Sequence, residues 1–210
     1  EDAEMQVKEL GIDVLGVDPA SEIAEIAVSR GIDTISDFFS LSLAKQIKAK
    51  HGKANLITSH NACAHIDDLG GVISGVEILL KNEGVFVMEV GYFVDVFENK
   101  WFDTIYHEHL CYLGLTPLKH FLEPLGLEVF DIERASVGAS GPAIRILIQQ
   151  YSGQQSISPN VDKFLSFEKE WGISNIEKYR SFAGRVKSAK SNILKLLDDF
   201  KSSQVEVGGY

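Results

Sequence analysis

Short apolar runs alternate with stretches of helical spacing through the first 90 residues, and this most constrains the fold. Val14-Leu15-Gly16-Val17 ends at Asp18-Pro19 and reads as a buried parallel strand. A helix follows over about 21–30, with Ile23, Ile26 and Ala27 at helical spacing and Gly31 as its stop. Thr34-Ile35 is a second short strand. Ser40 caps a helix that Gly52 ends, and 54–58 is a third strand. Asp67 or Asp68 opens a helix to Lys81, Asn82-Glu83-Gly84 turns it, and 85–90 is the clearest strand. Thr116-Pro117 then starts a helix, with proline at the first helical position, that ends by Gly126. The runs 127–132 and 144–148 read as an antiparallel pair joined by a loop over 138–142. Parallel strand–helix units closed by such a pair describe a mixed α/β sheet with helices on both faces.

From Pro159 onward the spacing is helical. Ser174-Asn175-Ile176-Glu177 reads as a capping box for a long amphipathic helix with Tyr179, Phe182, Ala183 and Val186 on one face. The expected division is a core over 1–152 and a helical connector with a first strand over 153–210. Residues 3–10 read as part of a helix and 205–210 as the opening of a strand, so the chain reads as a fragment of a longer enzyme.

Acidic residues outnumber basic ones by 30 to 20 in 210 residues, a net charge of -10. Such a surface repels phosphate backbones and argues against nucleic acid. No basic tract or membrane-spanning run argues for a membrane, and the cytoplasm is the expected location. Cys63 and Cys111 form no CxxC motif and read as small buried hydrophobes.

The chemistry concentrates in Phe102-Asp103-Thr104-Ile105-Tyr106-His107-Glu108-His109-Leu110. It sets a phenol, two imidazoles and a carboxylate in four consecutive positions with apolar residues on both sides. Proton transfer in a desolvated pocket requires such groups. A His107/His109 pair joined by His65 or His120 is a metal alternative, ranked lower because no further ligands have recognisable spacing. Asp18, at a strand end, suits the two hydroxyls of a ribose or else caps a helix. Asp37 suits an adenine amino group, with Phe38 or Phe39 over the ring, or else a cap. Asn61 and His65 lie in the polar stretch after the third strand. The glycines of 136–142 suit a tight turn or a phosphate, and Arg145, inside an apolar run, pairs with a carboxylate or reaches the surface.

Gly16-Val17-Asp18-Pro19-Ala20, Asn61-Ala62-Cys63-Ala64-His65, 84–90, 102–110 and 138–145, in this order, resemble the S-adenosylmethionine (SAM)-dependent sugar C-methyltransferases of nucleotide-deoxysugar biosynthesis. The run Phe-Asp-Thr-Ile-Tyr-His-Glu-His is the most specific of these pieces. The resemblance implies a Rossmann-like class I methyltransferase sheet, here N-terminally truncated: the zinc-binding domain, the first strand and its glycine-rich SAM loop would precede residue 1. It implies SAM as cofactor, held by Asp18, Pro19, Asp37 and Asn61, and a nucleotide-linked 4-keto deoxysugar as substrate. His109 would be the base that forms an enolate. Glu108 would orient a neighbouring imidazole or hold a sugar hydroxyl. Tyr106 and His65 would donate hydrogen bonds to the enolate oxygen, and the aromatics Tyr92, Phe93, Trp101 and Phe102 would keep the pocket dry. A nicotinamide-dependent oxidoreductase and a non-catalytic domain remain the rival readings.

Overall fold

The computed structural model describes residues 10–138, 141–206 and 208. Its elements are β1 (Leu15–Val17), α1 (Ser21–Ser29), β2 (Asp33–Ile35), α2 (Leu41–His51), β3 (Ala54–His60), α3 (Leu69–Leu79), β4 (Leu80–Gly91), α4 (Phe93–Asn99), α5 (Leu115–Leu122), β5 (Leu127–Gly138), β6 (Gly141–Gln150), α6 (Pro159–Trp171) and α7 (Ile176–Ser202). The α/β alternation expected from the apolar runs is present. Ser40 caps α2 by accepting from the Leu43 amide, and Asp68 caps α3 by accepting from that of Gly71.

The sheet differs from the single mixed sheet expected. β1 pairs with β2 in parallel, while β3-β4-β6-β5 form a separate four-stranded sheet. Within it β3 and β4 are parallel, and β6 is antiparallel to both β4 and β5. One edge of β1 and one edge of β3 carry no partner strand among the described residues. Helix α2 joins the two sheets: Leu43, Ala44 and Ile47 pack on Leu15, Val17 and Ile35 and also on Ala54 and Ile57.

The period-2 pattern of strands places the core. Phe86, Met88 and Val90 on β4 lie opposite Ile148, Ile146 and Ile144 on β6, all buried. On the alternate face one row carries charge. His60, Glu89, Arg145 and Glu133 stand in register across β3, β4, β6 and β5 and form one polar row.

Other boundaries shift. β4 begins at Leu80, where a helix to Lys81 and a turn over 82–84 were expected. Leu80 is fully buried and already extended, with ψ of 135°. Pro117 is the third residue of α5, because Gly114 caps it and Glu168 accepts from the amides of Leu115 and Thr116. Asn175, not Ser174, caps α7, accepting from the Glu177 amide. The glycine loop expected over 138–142 is narrower, since Gly138 and Gly141 are themselves paired strand residues, and 139–140 lie outside the described residues. The expected helix over 3–10 falls there too, apart from Leu10, which is in a turn. Of the expected strand over 205–210, Val205 and Glu206 are not in a strand, and 207, 209 and 210 are outside the described residues.

Helices α2 and α3 approach closely at Gly75, where an added Cβ would lie 3.1 Å from Ala44 Cβ and 3.1 Å from the Phe39 ring. Gly75→Leu is therefore expected to overpack this contact and cost about 1–3 kcal/mol. Urea unfolding of the variant, read as a lower midpoint at unchanged slope, measures it.

Candidate active site

The loop after β3 and the turn after α4 are laced together by main-chain bonds. A short 3₁₀ turn, Cys63–His65, follows β3, and Asn61 reaches it through left-handed backbone with φ of 53°. The Asn61 amide donates to the Glu89 carbonyl at 2.8 Å. Across the site, the amides of Leu110 and Cys111 donate to the Ala64 carbonyl at 2.8 and 3.3 Å. This fixes His65 beside 106–109.

The segment 106–109 is a turn rather than a strand, so its side chains do not alternate between two faces. His109 donates from Nδ1 to the Thr104 carbonyl at 2.7 Å, and His65 from Nδ1 to the Glu108 carbonyl at 2.9 Å. A carbonyl only accepts, so each Nδ1 carries hydrogen and each neutral ring presents a lone pair at Nε2. The two rings stand 4.7 Å apart, and the Tyr106 ring lies 4.4 Å from that of His109. The Tyr106 hydroxyl approaches His109 Nε2 at 3.4 Å, a long contact that a substrate atom displaces at small cost. Tyr112 donates to the same Thr104 carbonyl at 3.2 Å and braces the turn.

Three features depart from the sequence reading. Glu108 holds His65 through its main-chain carbonyl, and among the described residues its carboxylate forms no hydrogen bond or ion pair to an imidazole. His65, with Nδ1–H spent on that carbonyl, donates from Nε2 only as the imidazolium. The apolar neighbours do not enclose the cluster: Ile105 is 51% exposed, Tyr106 44% and Leu110 52%. Nor do the expected aromatics line one pocket. Tyr92 is buried with its hydroxyl donating to Glu168, Phe93 stacks among Phe97, Trp171 and Tyr179, and Phe102 is exposed.

The polar row beside the turn was missed as a site feature. Glu89, 6% exposed, accepts from Arg145 Nε and Nη2 at 3.2 and 2.8 Å, and its other oxygen lies 3.9 Å from His60 Nδ1. Arg145 also donates to Glu133 at 2.7 Å. Those carboxylate bonds raise the guanidinium's affinity for its proton. A carboxylate inside the apolar run 85–90, opposite an arginine inside 144–148, was the available signal. Burial pushes both cysteine thiols up, Cys63 more deeply placed beside the Ser59 hydroxyl at 3.3 Å, so neither is a ready nucleophile.

Asp18, Pro19 and Asp37 sit apart, at the ends of β1 and β2. Asp18 accepts from the Ala20 amide at 2.8 Å through Oδ1, and Asp37 from the Phe38 amide at 2.7 Å through Oδ1. Among the described residues each has its second oxygen without a hydrogen bond. Phe38 is 74% exposed beside Asp37, whereas Phe39 packs into the core. Two carboxylates and an open ring at parallel strand ends fit a ribose and an adenine.

A family model described as a methyltransferase domain matches residues 3–132. The chain belongs to the SAM-dependent methyltransferases. Within this family, a second model, described as the C-methyltransferase C-terminal domain, matches residues 138–210. The chain is similar to the C-methyltransferase NovU of Streptomyces niveus, with 34% identity over 203 residues, covering 97% of this chain and 48% of that protein. It thus spans about half the length of the curated relative. Among solved structures, it is similar to a SAM-dependent methyltransferase of Archaeoglobus fulgidus (TM-score 0.52, 17% identity, 70% of this chain and 79% of that one). It also matches one of Anabaena variabilis (TM-score 0.50, 18% identity, 65% and 68%). Both likenesses are of fold, and they bear out the Rossmann-like methyltransferase sheet read from the sequence. The cofactor of the family is SAM, as expected. No helix among the described residues is long and apolar enough to cross a membrane.

Proposed function

We propose that the protein is a C-methyltransferase that methylates a carbon next to the ketone of a nucleotide-linked deoxysugar in the cytoplasm, with His109 as base. The observation that carries this reading is the main-chain clamp on His109 Nδ1, which leaves the Nε2 lone pair facing Tyr106. In the proposed reaction Nε2 removes the proton from the carbon beside the ketone. The electron pair moves onto the ketone oxygen as an enolate, and the same carbon then forms the new carbon–carbon bond. SAM supplies the electrophilic methyl group. Tyr106 donates its hydroxyl hydrogen to the enolate oxygen, and His65 joins it as the imidazolium from Nε2. Glu108, with its carboxylate exposed, is assigned to a sugar hydroxyl.

Asp18 and Asp37 are assigned to the ribose and the adenine amino group, Phe38 to the ring, and Pro19 and Asn61 to the loops that shape this edge. In this reading 1–152 form the methyltransferase core and 153–210 the connector to the substrate-binding part. Asp18→Asn is expected to weaken SAM about 10- to 100-fold, the loss of charged hydrogen bonds, with the fold intact. Calorimetric titration of the full-length protein checks this. The reaction is tested by offering that protein methyl-labelled SAM and 4-keto sugar nucleotides. Label in a carbon-bound methyl group of the sugar supports the reading, and label on oxygen or nowhere rejects it.

A further inference from the structure

The C-terminal end of α4 faces α7 across an open, solvent-exposed groove lined by Lys100, Ser181, Arg185, Ser188 and Asn192, with Gly184 and Ala189 between them. Arg185 donates from Nη2 to the Phe97 carbonyl at 2.9 Å and lies over the Phe182 ring. Its Nε is buried with no hydrogen-bond partner. Lys100 adopts left-handed backbone, φ 59°, a conformation that costs a lysine energy. Among the described residues neither cation forms a salt bridge, in a chain with ten more acidic than basic residues. A plainer account is that both cations complement the negative end of α4. It explains the bond to Phe97 but not the hydroxyl and amide donors gathered around the same space.

We propose that this groove binds the diphosphate of the nucleotide-linked substrate, with Lys100 and Arg185 as its charge partners and Ser181, Ser188 and Asn192 as neutral donors. The assignment rests on the function proposed above. Lys100 is joined to the base by a short relay: Trp101 follows it, the Thr104 amide and hydroxyl donate to the Trp101 carbonyl, and the Thr104 carbonyl accepts from His109. Lys100 therefore stands four residues before the carbonyl that holds the imidazole. Charge at this place positions the sugar without taking part in the reaction.

The test measures binding of uridine diphosphate, thymidine diphosphate and inorganic pyrophosphate by calorimetry to the full-length protein and to its Lys100→Asn, Arg185→Gln and doubly substituted forms. Asparagine tolerates the left-handed backbone at position 100. Arg185→Lys, which keeps the charge, serves as the conservative control. The expected result is binding of a nucleoside diphosphate, competed by pyrophosphate, weakened tenfold or more in the double variant and partly kept in Arg185→Lys. Added salt narrows the difference. In turnover, KM for the sugar nucleotide rises by a similar factor while kcat stays within about twofold, the mark of lost uniform binding. Equal affinity in all forms, no diphosphate binding, or binding without competition by pyrophosphate overturns the site. If affinity falls as expected but no keto sugar nucleotide is methylated, the groove stands and the proposed reaction fails. If methyl transfer is found and the substitutions leave affinity and KM unchanged, the reaction stands and the groove assignment fails.

Discussion

His109→Asn is expected to lower kcat of the full-length enzyme by about 10²–10⁴-fold, the usual contribution of a positioned general base. Asparagine can still donate to the Thr104 carbonyl, so the turn keeps its clamp while the basic lone pair is lost. A fall in kcat alone would not separate base from scaffold. The deciding measurement is exchange of the substrate's carbon-bound hydrogen in deuterated water with S-adenosylhomocysteine in place of SAM. The native enzyme is expected to exchange that hydrogen and His109→Asn is not. Exchange at the native rate in the variant moves the base elsewhere. Tyr106→Phe is the natural companion: it removes the donor at 3.4 Å from Nε2 but leaves the base in place.

The largest loss of stability is expected from Glu168→Leu. Glu168 is fully buried, and its carboxylate accepts from the Tyr92 hydroxyl at 3.0 Å and from the amides of Leu115 and Thr116 at 2.6 and 2.7 Å. Those amides are orphan donors of the first turn of α5, and a negative charge there also complements the helix dipole. Burial, reinforced by the neighbouring Glu168 charge, holds the Tyr92 phenol far above its ordinary titration range, so it remains a donor. Leucine fits the volume but leaves two buried donors and one half-buried donor without an acceptor, a cost of about 3–5 kcal/mol. Glu168→Gln keeps an acceptor oxygen and should lose less. Chemical unfolding of both variants gives the comparison, and a leucine variant within 1 kcal/mol of the native protein would show that the bonds are not sustaining the junction of β4, α5 and α6.

The alternation was legible because its segments are closed by residues that stop them: Asp18-Pro19 after β1, Gly31 after α1 and Gly52 after α2. Boundaries failed where two signals overlapped. Leu80 and Lys81 suit the end of a helix as well as the start of a strand, and only burial of Leu80 against the sheet decides. Pro117 was placed at the first helical position rather than the third because the cap that matters comes from Glu168, 52 residues from Thr116 in the chain. The chemical types of the site were legible in Tyr-His-Glu-His, but its proton arrangement was not. Which nitrogen of His65 and His109 carries hydrogen depends on main-chain carbonyls that no residue type announces. The Glu89–Arg145 pair was half legible: each charge interrupts an apolar run, yet their meeting follows from strand register. The expected dry pocket misled because apolar neighbours in sequence were taken for a covering in space.

The edges of β1 and β3 that carry no partner among the described residues bear on how this stretch of chain behaves in solution. An open strand edge is a template for strands of other copies. β1 is three residues long and offers little purchase, but β3 is seven residues long, and Leu56 on it is half exposed. Produced by itself at high concentration, this stretch is expected to self-associate through β3, with charge on that edge, rather than added salt, as the remedy.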